Sequence, residues 1–379
     1  MFDPLTSSEL AALPDTTRVY CQPACFVERP HGLDGRVARI GDGMLWFSAW
    51  QLTVRGPEIA KREALVPVEA MAEWIAAMPD ELAHQAATQV AAVSAPRAPL
   101  SIGARTVRLN EPQIMGILNV TPDSFSDGGR YGDPEPAANV GFDMAAAGAA
   151  IIDVGGESTR PGAKPVWEGD EKERVIPVIE RLANAGVAIS IDTRKAAVME
   201  AALAAGAGLI NDVAALAYDD RALAVAAKAA CPVVLMHAPS QKSDPHEGGG
   251  AYADVALDVF DWLAARIEAV VNGGVLRANI IVDPGLGFGK GVDDNLRLMN
   301  ALPLFHALGC PLLLGISRKR FIGAVDGEVE ADERLGGSVA LTALGAQAGV
   351  QLHRVHDIMQ SRQALRIWRA MRDSALVRT

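Results

Sequence analysis

Residues 113–155 read QIMGILNVTPDSFSDGGRYGDPEPAANVGFDMAAAGAAIIDVG, and this pattern decides the fold. An apolar run at 113–119 stops at Asn119, a polar loop follows, an alanine-rich stretch at 137–147 suits a helix, and a second apolar run fills 149–155. Short apolar runs bounded by turn signals suit strands covered on both faces, as in a parallel sheet flanked by helices. Just past the first run, Thr121, Asp123, Ser124, Ser126 and Asp127 crowd together. By itself that crowding fits two readings equally: a turn built on Pro122, Gly128 and Gly129, or a ligand site at the C-terminal edge of a parallel sheet.

The alternation continues to the end of the chain. Strand-like segments recur at 187–192, 209–212, 232–236, 279–283, 312–316 and 350–355, separated by helix-capable segments at 172–184, 195–205, 252–271, 295–307 and 334–347, with a last one at 357–372. Eight such units over roughly 270 residues match the size of a closed barrel. The expected fold is α/β: a (β/α)8 TIM barrel with a smaller N-terminal α/β accessory domain. An open doubly wound sheet fits less well, because no GxGxxG follows the first strand. Residues 1–92 contain aromatic pieces such as MLWFSAWQLTV and a helical stretch at 68–90, but no catalytic constellation. VSAPRAP at 93–99 reads as a linker, since Pro and small residues resist helix and strand ladders. The barrel is then expected over 100–379, opening with a hairpin-like SIGARTVRLN.

The 379 residues suffice for one large and one smaller domain, and the net charge of -11 argues against a broad nucleic-acid surface. No run approaches the ~18 apolar residues of a membrane span, and MFDPLTSSEL lacks a basic segment followed by an apolar one, so a cytoplasmic location is expected. Cys21, Cys25, Cys231 and Cys310 form neither a paired zinc pattern nor a disulfide framework.

Polar groups end all eight strands. Asn119 ends the first, DVGGESTRPG (153–162) the second, Asp192-Thr-Arg the third, Asn211-Asp212 the fourth, Met236-His237 the fifth, DPGLGFGK (283–290) the sixth, Ser317-Arg-Lys319 the seventh and His353-Arg354-Val-His356-Asp357 the eighth. Each has a plain alternative: Asp192 as a helix N-cap, Asn211 and Asp212 as turn formers, Asp283-Pro-Gly as a tight turn. Jointly, Asp192, Asn211 and Asp283 converge in a barrel mouth, where a flat heterocycle is readable edge-on. Lys319, Arg354 and His356 form a basic cluster that closure sets across from Asn119, a phosphate pocket by position and type. Asn119 adds a neutral oxygen for magnesium held mainly by substrate phosphates. His237 reads as a hydrogen-bonded wall residue, and His246 has no assigned role.

NVTPDSFSDGG, DVGGESTRPGA, SIDT, LIND, VLMH, DPGLGFGK, ISRKRFIG and RVHD, in this order, closely resemble dihydropteroate synthase. The resemblance implies a pterin-binding barrel that joins a dihydropterin pyrophosphate to p-aminobenzoate and releases pyrophosphate. It implies that Asp192, Asn211, Met236, Asp283, Phe288 and Lys319 hold the pterin, and that Asn119, Arg354 and His356 hold pyrophosphate, with Asn119 on Mg2+. It places Phe125, Thr159, Pro161 and Ser317 on p-aminobenzoate, and Asp127, Arg160 and Lys319 among the catalytic groups, two mobile loops closing over the second substrate. A homodimer is implied on the same ground. The His237-Ala-Pro-Ser240 loop departs from the family's common His-Met-Gln-Gly. A methyltetrahydrofolate-type pterin methyltransferase lacks the pyrophosphate cluster, and a catalytically silent pterin-binding subunit predicts binding without turnover.

Overall fold

The computed structural model describes residues 5–121, 134–158 and 162–377. The chain opens with an antiparallel sheet of β1 (Arg18–Val27), β2 (Ala38–Arg39), β3 (Trp46–Gly56) and β4 (Ile59–Pro67), in which β3 pairs with the other three. Helices α1 (Met71–Ala76) and α2 (Asp80–Ser94) follow, and Gln89 of α2 accepts from Cys21 N and donates to Val19 O, tying the helix to β1. A hairpin of β5 (Leu100–Ile102) and β6 (Arg105–Val107) comes next.

The rest is the expected alternation: β7 (Gln113–Asn119), α3 (Glu135–Ala147), β8 (Ile151–Gly155), α4 (Glu168–Asn184), β9 (Ile189–Asp192), α5 (Ala196–Ala204), β10 (Leu209–Asp212), α6 (Ala222–Ala229) and β11 (Val233–Met236). It continues through α7 (Val255–Asn272), β12 (Ile280–Asp283), α8 (Val292–Asn300), β13 (Leu313–Gly315), α9 (Arg320–Val325), α10 (Leu335–Gln347), β14 (Leu352–Val355) and α11 (Ile358–Leu376). The eight strands pair in parallel in the order β12-β11-β10-β9-β8-β7-β14-β13. A parallel bridge between Val282 and Leu312 joins the two ends and closes the barrel.

Closure fixes which end works. The β5/β6 hairpin seals the N-terminal end, where Leu100, Ile102 and Val107 pack with Met115, Ile151, Leu209, Val234, Ile281, Leu313 and Leu352, each of the last seven from a barrel strand. Apolar side chains in successive layers make that interior a core, so only the C-terminal mouth is left for polar groups.

Sequence and structure differ at particular places. The expected strands at 149–155 and 350–355 start later, at Ile151 and Leu352, because Gly148 and Gly349, in left-handed conformation, still belong to the turns after the preceding helices. The expected helix at 295–307 is two pieces: α8 ends at Asn300, and Leu302–Leu308 form a fully buried 3-10 segment whose Pro303 breaks the α pattern. Helix α2 runs through Ser94, so the extended connection starts at Ala95.

The N-terminal sheet is packed onto the barrel rather than set apart from it. Tyr20 of β1 stacks edge-on against Phe260 of α7, which in turn meets Phe305 of the 3-10 segment. Buried Arg97, in the connection, donates to the carbonyls of Ala92, Ala95 and His306, which fastens that segment from the N-terminal side. One continuous apolar cluster therefore runs from Trp50 and Leu52 through Phe305 into the barrel wall. Phe305→Ala should cost about 3–5 kcal/mol and lower the sheet and the barrel together. Urea unfolding followed by tryptophan fluorescence and by far-ultraviolet circular dichroism should give coincident, equally shifted transitions; separate transitions would count against a shared core.

Candidate active site

A guanidinium ties the carboxylates of the mouth together. Arg354 of β14 donates from Nε to Asp153 Oδ2 at 2.6 Å and from Nη2 to Asp192 Oδ2 at 2.5 Å. Asn211 Nδ2 donates to the same Asp153 oxygen at 3.0 Å. Alternation along β10 separates the two residues that the sequence left as possible turn formers: Asn211 faces the mouth, whereas Asp212 accepts from Ala214 N and Leu216 N and shapes the following turn. That turn holds Ala215 and Leu216 in left-handed conformation, at φ 51° and 60°.

Two strand glycines make room beside these groups. A Cβ on Gly155, at the end of β8, would stand 3.6 Å from Asp192 Oδ2 and 3.8 Å from Asn119 Oδ1; one on Gly315, at the end of β13, would stand 3.8 Å from Asp283 Oδ2 and 3.9 Å from Arg354. Asn119, Asp192, Asp283 and Arg354 thus border positions that carry no side chain, a shape suited to a thin, flat ligand.

Burial sets the protonation of this floor. It pushes Asp192 up to about 7, against the pull of Arg354 and with the added repulsion of Asp153. Asp283 is raised for the same reason, opposed by Lys319 and by the Gly285 N–H that Asp283 Oδ1 accepts at 2.7 Å. Burial works against the charge on Arg354, but Asp153 and Asp192 outweigh it and hold the guanidinium protonated.

The sixth loop forms one wall. Lys319, the N-cap of α9, donates to Leu286 O and sits 4.4 Å from the centre of the Phe288 ring. Burial lowers it to about 8, partly offset by Asp283. Phe288 packs with Met236, Val213 and Ala238, and its other neighbour is His246, stacked at 4.8 Å and 19°. Lys290 holds the loop from within, donating to Gly285 O at 2.8 Å and Phe288 O at 3.2 Å, with His237 Nδ1 3.0 Å away. Burial brings Lys290 down to about 7 and His237 down to about 3, so His237 is a neutral wall residue that accepts from Lys290.

Next to this wall, after β13, Ser317 Oγ lies 3.2 Å from both His356 N and His356 Nδ1. Between Ser317 and Lys319, Arg318 adopts φ 58° and clasps Asp357 through Nε and Nη2. That clasp ties the loops after β13 and β14 together.

The structure therefore brings together Asn119, Asp192, Asn211, Met236, Asp283, Phe288, Ser317, Lys319, Arg354 and His356 at one end of the barrel. Phe125, Asp127, Thr159, Arg160 and Pro161 lie outside the described residues. Asp153 and Lys290, the first and last residues of the strand-end stretches DVGGESTRPG and DPGLGFGK, had no role assigned from the sequence. The signal for Asp153 was present as a carboxylate inside the apolar IIDVG, a position where charge is costly unless paired.

Among the described residues no group of three or more His, Cys, Asp and Glu is arranged to hold a metal. Asn119 offers a single neutral amide oxygen at the end of β7, and one such donor is not a resident metal cage. A cleft of about 570 Å³ lies outside the mouth, lined by Val166, Trp167, Lys195, Tyr218, Asp219 and Lys242 among others. None of the carboxylates around Arg354 lines it. No helix among the described residues is long and apolar enough to cross a membrane.

The pterin binding enzyme family matches residues 115–356. Dihydropteroate synthase of Bacillus subtilis is 46% identical over 259 residues, 68% of this chain and 88% of that protein. The Streptococcus pyogenes enzyme of the same name is 46% identical over 256 residues, 67% of this chain and 93% of its own. A structure of Xanthomonas albilineans dihydropteroate synthase with 4-aminobenzoic acid superposes with a TM-score of 0.68 at 45% identity, covering 72% of this chain and 98% of that one. The same enzyme in complex with 7,8-dihydropteroate gives 0.65 at 44% identity, with the same coverage.

The charge balance around Arg354 is testable without any ligand. Arg354→Met leaves Asp153 and Asp192 buried without their cation, a loss of about 3–5 kcal/mol for a broken buried pair. A carboxyl whose folded pKa is raised stabilises below its unfolded value and loses that stability as pH rises through the folded value. The deficit should therefore be smaller at pH 5 than at pH 8, where Asp192, already near 7 with Arg354 in place, must ionise unpaired. Urea midpoints at the two pH values read the difference; a deficit independent of pH would remove Arg354 from this balance.

Proposed function

The chain belongs to the dihydropteroate synthase branch of the pterin binding enzymes, and from that premise we propose how its barrel mouth divides the work. The reaction condenses 6-hydroxymethyl-7,8-dihydropterin pyrophosphate with p-aminobenzoate to give 7,8-dihydropteroate and pyrophosphate, a transferase step in folate biosynthesis. The observation that carries the assignment of roles is the placement of Asp192 and Asp283 beside the side-chain-free Gly155 and Gly315, with Arg354 bonded to Asp192, Asn211 bonded to Asp153, and Lys319 against Phe288.

The pterin lies in the slot left by Gly155 and Gly315. Its ring N–H groups donate to Asp192 and Asp283, Asn211 offers both a donor and an acceptor, and Lys319 donates to a ring acceptor while Phe288 and Met236 supply apolar contact. Ring donors add to the pull that Arg354 already exerts on Asp192 and Lys319 on Asp283. Pyrophosphate falls to Arg354, His356 and Asn119. Nε and Nη2 of Arg354 are held by carboxylates, which leaves Nη1 for a phosphate oxygen.

Bond breaking separates charge. As the carbon–oxygen bond to pyrophosphate lengthens, positive charge spreads from the methylene carbon into the pterin ring and negative charge gathers on the leaving group. Carboxylates near the ring and cations near the leaving group oppose less of that separation than water does, because they are already oriented. Magnesium bound with the pyrophosphate supplies further neutralisation there. The amine nitrogen of p-aminobenzoate then bonds to the methylene carbon and sheds a proton. It is nucleophilic as it stands, so no covalent enzyme intermediate is needed.

Ser317, held by His356, Phe125, Thr159 and Pro161 take the p-aminobenzoate side, with Asp127 and Arg160 ordering the closed state; for the residues other than Ser317 this rests on the sequence resemblance alone. A cytoplasmic homodimer is the form we expect. A methyltransferase reading is disfavoured by the basic set Arg354, His356 and Lys319.

The assignment is tested by incubating the protein with the dihydropterin pyrophosphate, p-aminobenzoate and magnesium. Pyrophosphate should appear only when p-aminobenzoate is present; a folded protein that releases none would sink the reading. Asp283→Ala should weaken pterin binding by about 1–3 kcal/mol or more, the cost of ring donors left unpaired in a buried site. Calorimetric titration with the pterin substrate reads this, and an unchanged affinity would take Asp283 out of the pocket.

A further inference from the structure

The N-terminal sheet meets the barrel at one place that leads to the active site. Helix α7 starts where the loop after β11 ends, and two of its carboxylates hold that junction: Asp254 Oδ1 accepts from Ala256 N and Leu257 N at 3.2 Å, and Asp258 Oδ2 accepts from Ala253 N at 2.9 Å and Asp254 N at 3.2 Å. The second oxygen of each is taken by the N-terminal sheet. Lys61 of β4 pairs with Asp254 Oδ2 at 2.8 Å, and Arg55 of β3 pairs with Asp258 Oδ1 at 2.6 Å. One turn on, Asp261 receives Arg55 Nη2 at 2.6 Å, Tyr20 OH at 2.9 Å and Arg18 Nη1 at 2.8 Å. Arg55 Nε also donates to Tyr20 OH.

The same junction also touches the wall of the mouth at His237. Trp262 meets His237 edge-on at 5.0 Å, Tyr252 lies 6.0 Å from it, and His237 Nδ1 faces the Lys290 that shapes the Phe288 loop. The loop itself, residues 237–254, sets His246 on Phe288, accepts Arg194 Nη1 at Ser243 O and accepts Gly162 N at Asp244. It carries three consecutive glycines at 248–250, two of them with positive φ. Such a segment has little apolar surface to place it, so these few contacts and its two ends decide where it lies.

We propose that the N-terminal sheet acts as a clamp on the active-site loop between β11 and α7, and that Arg55 and Lys61 are positioning residues for the pterin pocket. The proposal rests on the pterin reading above for the identity of the pocket's ligand, while the clamp itself stands on the contacts. Single half-exposed ion pairs do little for stability. A network that fixes both capping carboxylates of one helix start acts instead on where the preceding loop is held.

The test uses the full chain and the double variant Arg55→Met/Lys61→Met. The Michaelis constant for dihydropterin pyrophosphate should rise roughly two- to thirtyfold, the range seen for residues coupled to a site without touching ligand, while that for p-aminobenzoate stays near its original value. Amide hydrogen exchange across residues 238–254 should accelerate, and Arg55→Lys with Lys61 intact should restore most of the affinity. Gln89→Ala is the control, because Gln89 joins α2 to β1 without touching α7; it should lower Tm and leave the pterin constant unchanged. Should the double variant not fold, Lys61→Met alone, at a side chain 44% exposed, carries the same measurement. Unchanged exchange and unchanged pterin affinity would overturn the clamp, and so would an equal affinity loss in Gln89→Ala at matched Tm. A parent chain that shows no turnover instead overturns the substrate reading, and hydrogen exchange then decides the clamp separately.

Discussion

One guanidinium set among more buried carboxylate than it can neutralise is the constraint on which the mouth depends. Arg354 carries Asp153 and Asp192 directly and lies close to Asp283, while Asn211 leans on Asp153. Removing charge from water is costly, so burial raises the pKa values of Asp192 and Asp283 against the pull of their cations. A ligand with several N–H donors along one edge adds to that pull. Gly155 and Gly315, having no side chains, leave space beside Asn119, Asp192, Asp283 and Arg354.

Lys290 plays the corresponding part in the wall. Its ammonium sits inside the sixth loop, held by the carbonyls of Gly285 and Phe288, while Asn295 accepts from Gly287 N and donates to Lys290 O. Gly285, Gly287 and Gly289 all have positive φ there, which lets the backbone turn its carbonyls toward the ammonium. The loop is wound around a cation, and Phe288 and Lys319 are placed by that winding. Burial that brings Lys290 toward 7 is the cost of the arrangement.

The strand ends were legible in the sequence because a short apolar run that stops at Asp192, Asn211 or Asp283 has little else to do in a parallel sheet. Their assembly was legible too, since eight repeats imply closure and closure makes β14 the neighbour of β7. What the sequence hid depended on contacts between distant segments. Asp153 gave only a weak sign, as one charge in an apolar strand, and its partners lie at positions 211 and 354. The N-terminal strands were unreadable for another reason: β1 carries Pro23 and a left-handed Cys25 within one ten-residue strand, so alternation fails there. Its role depends on Asp254, Asp258 and Asp261, which read alone as an ordinary acidic helix start favoured by the macrodipole.

The separation of charge in the mouth follows from strand order and not from any single residue. Asp192, Asn211 and Asp283 come from β9, β10 and β12, on one arc of the barrel; Arg354 and Asn119 come from β14 and β7, which are adjacent on the other. Ser317 and His356 stand on that second arc, linked by their own hydrogen bond and locked by the Arg318 clasp on Asp357. Arg354 of the second arc reaches across to Asp192 of the first, so the two arcs are joined by an ion pair as well as by the strands. Because the barrel is closed, neither arc can move toward the other without breaking strand pairing. The field is therefore built when the chain folds, and the reaction does not have to organise it.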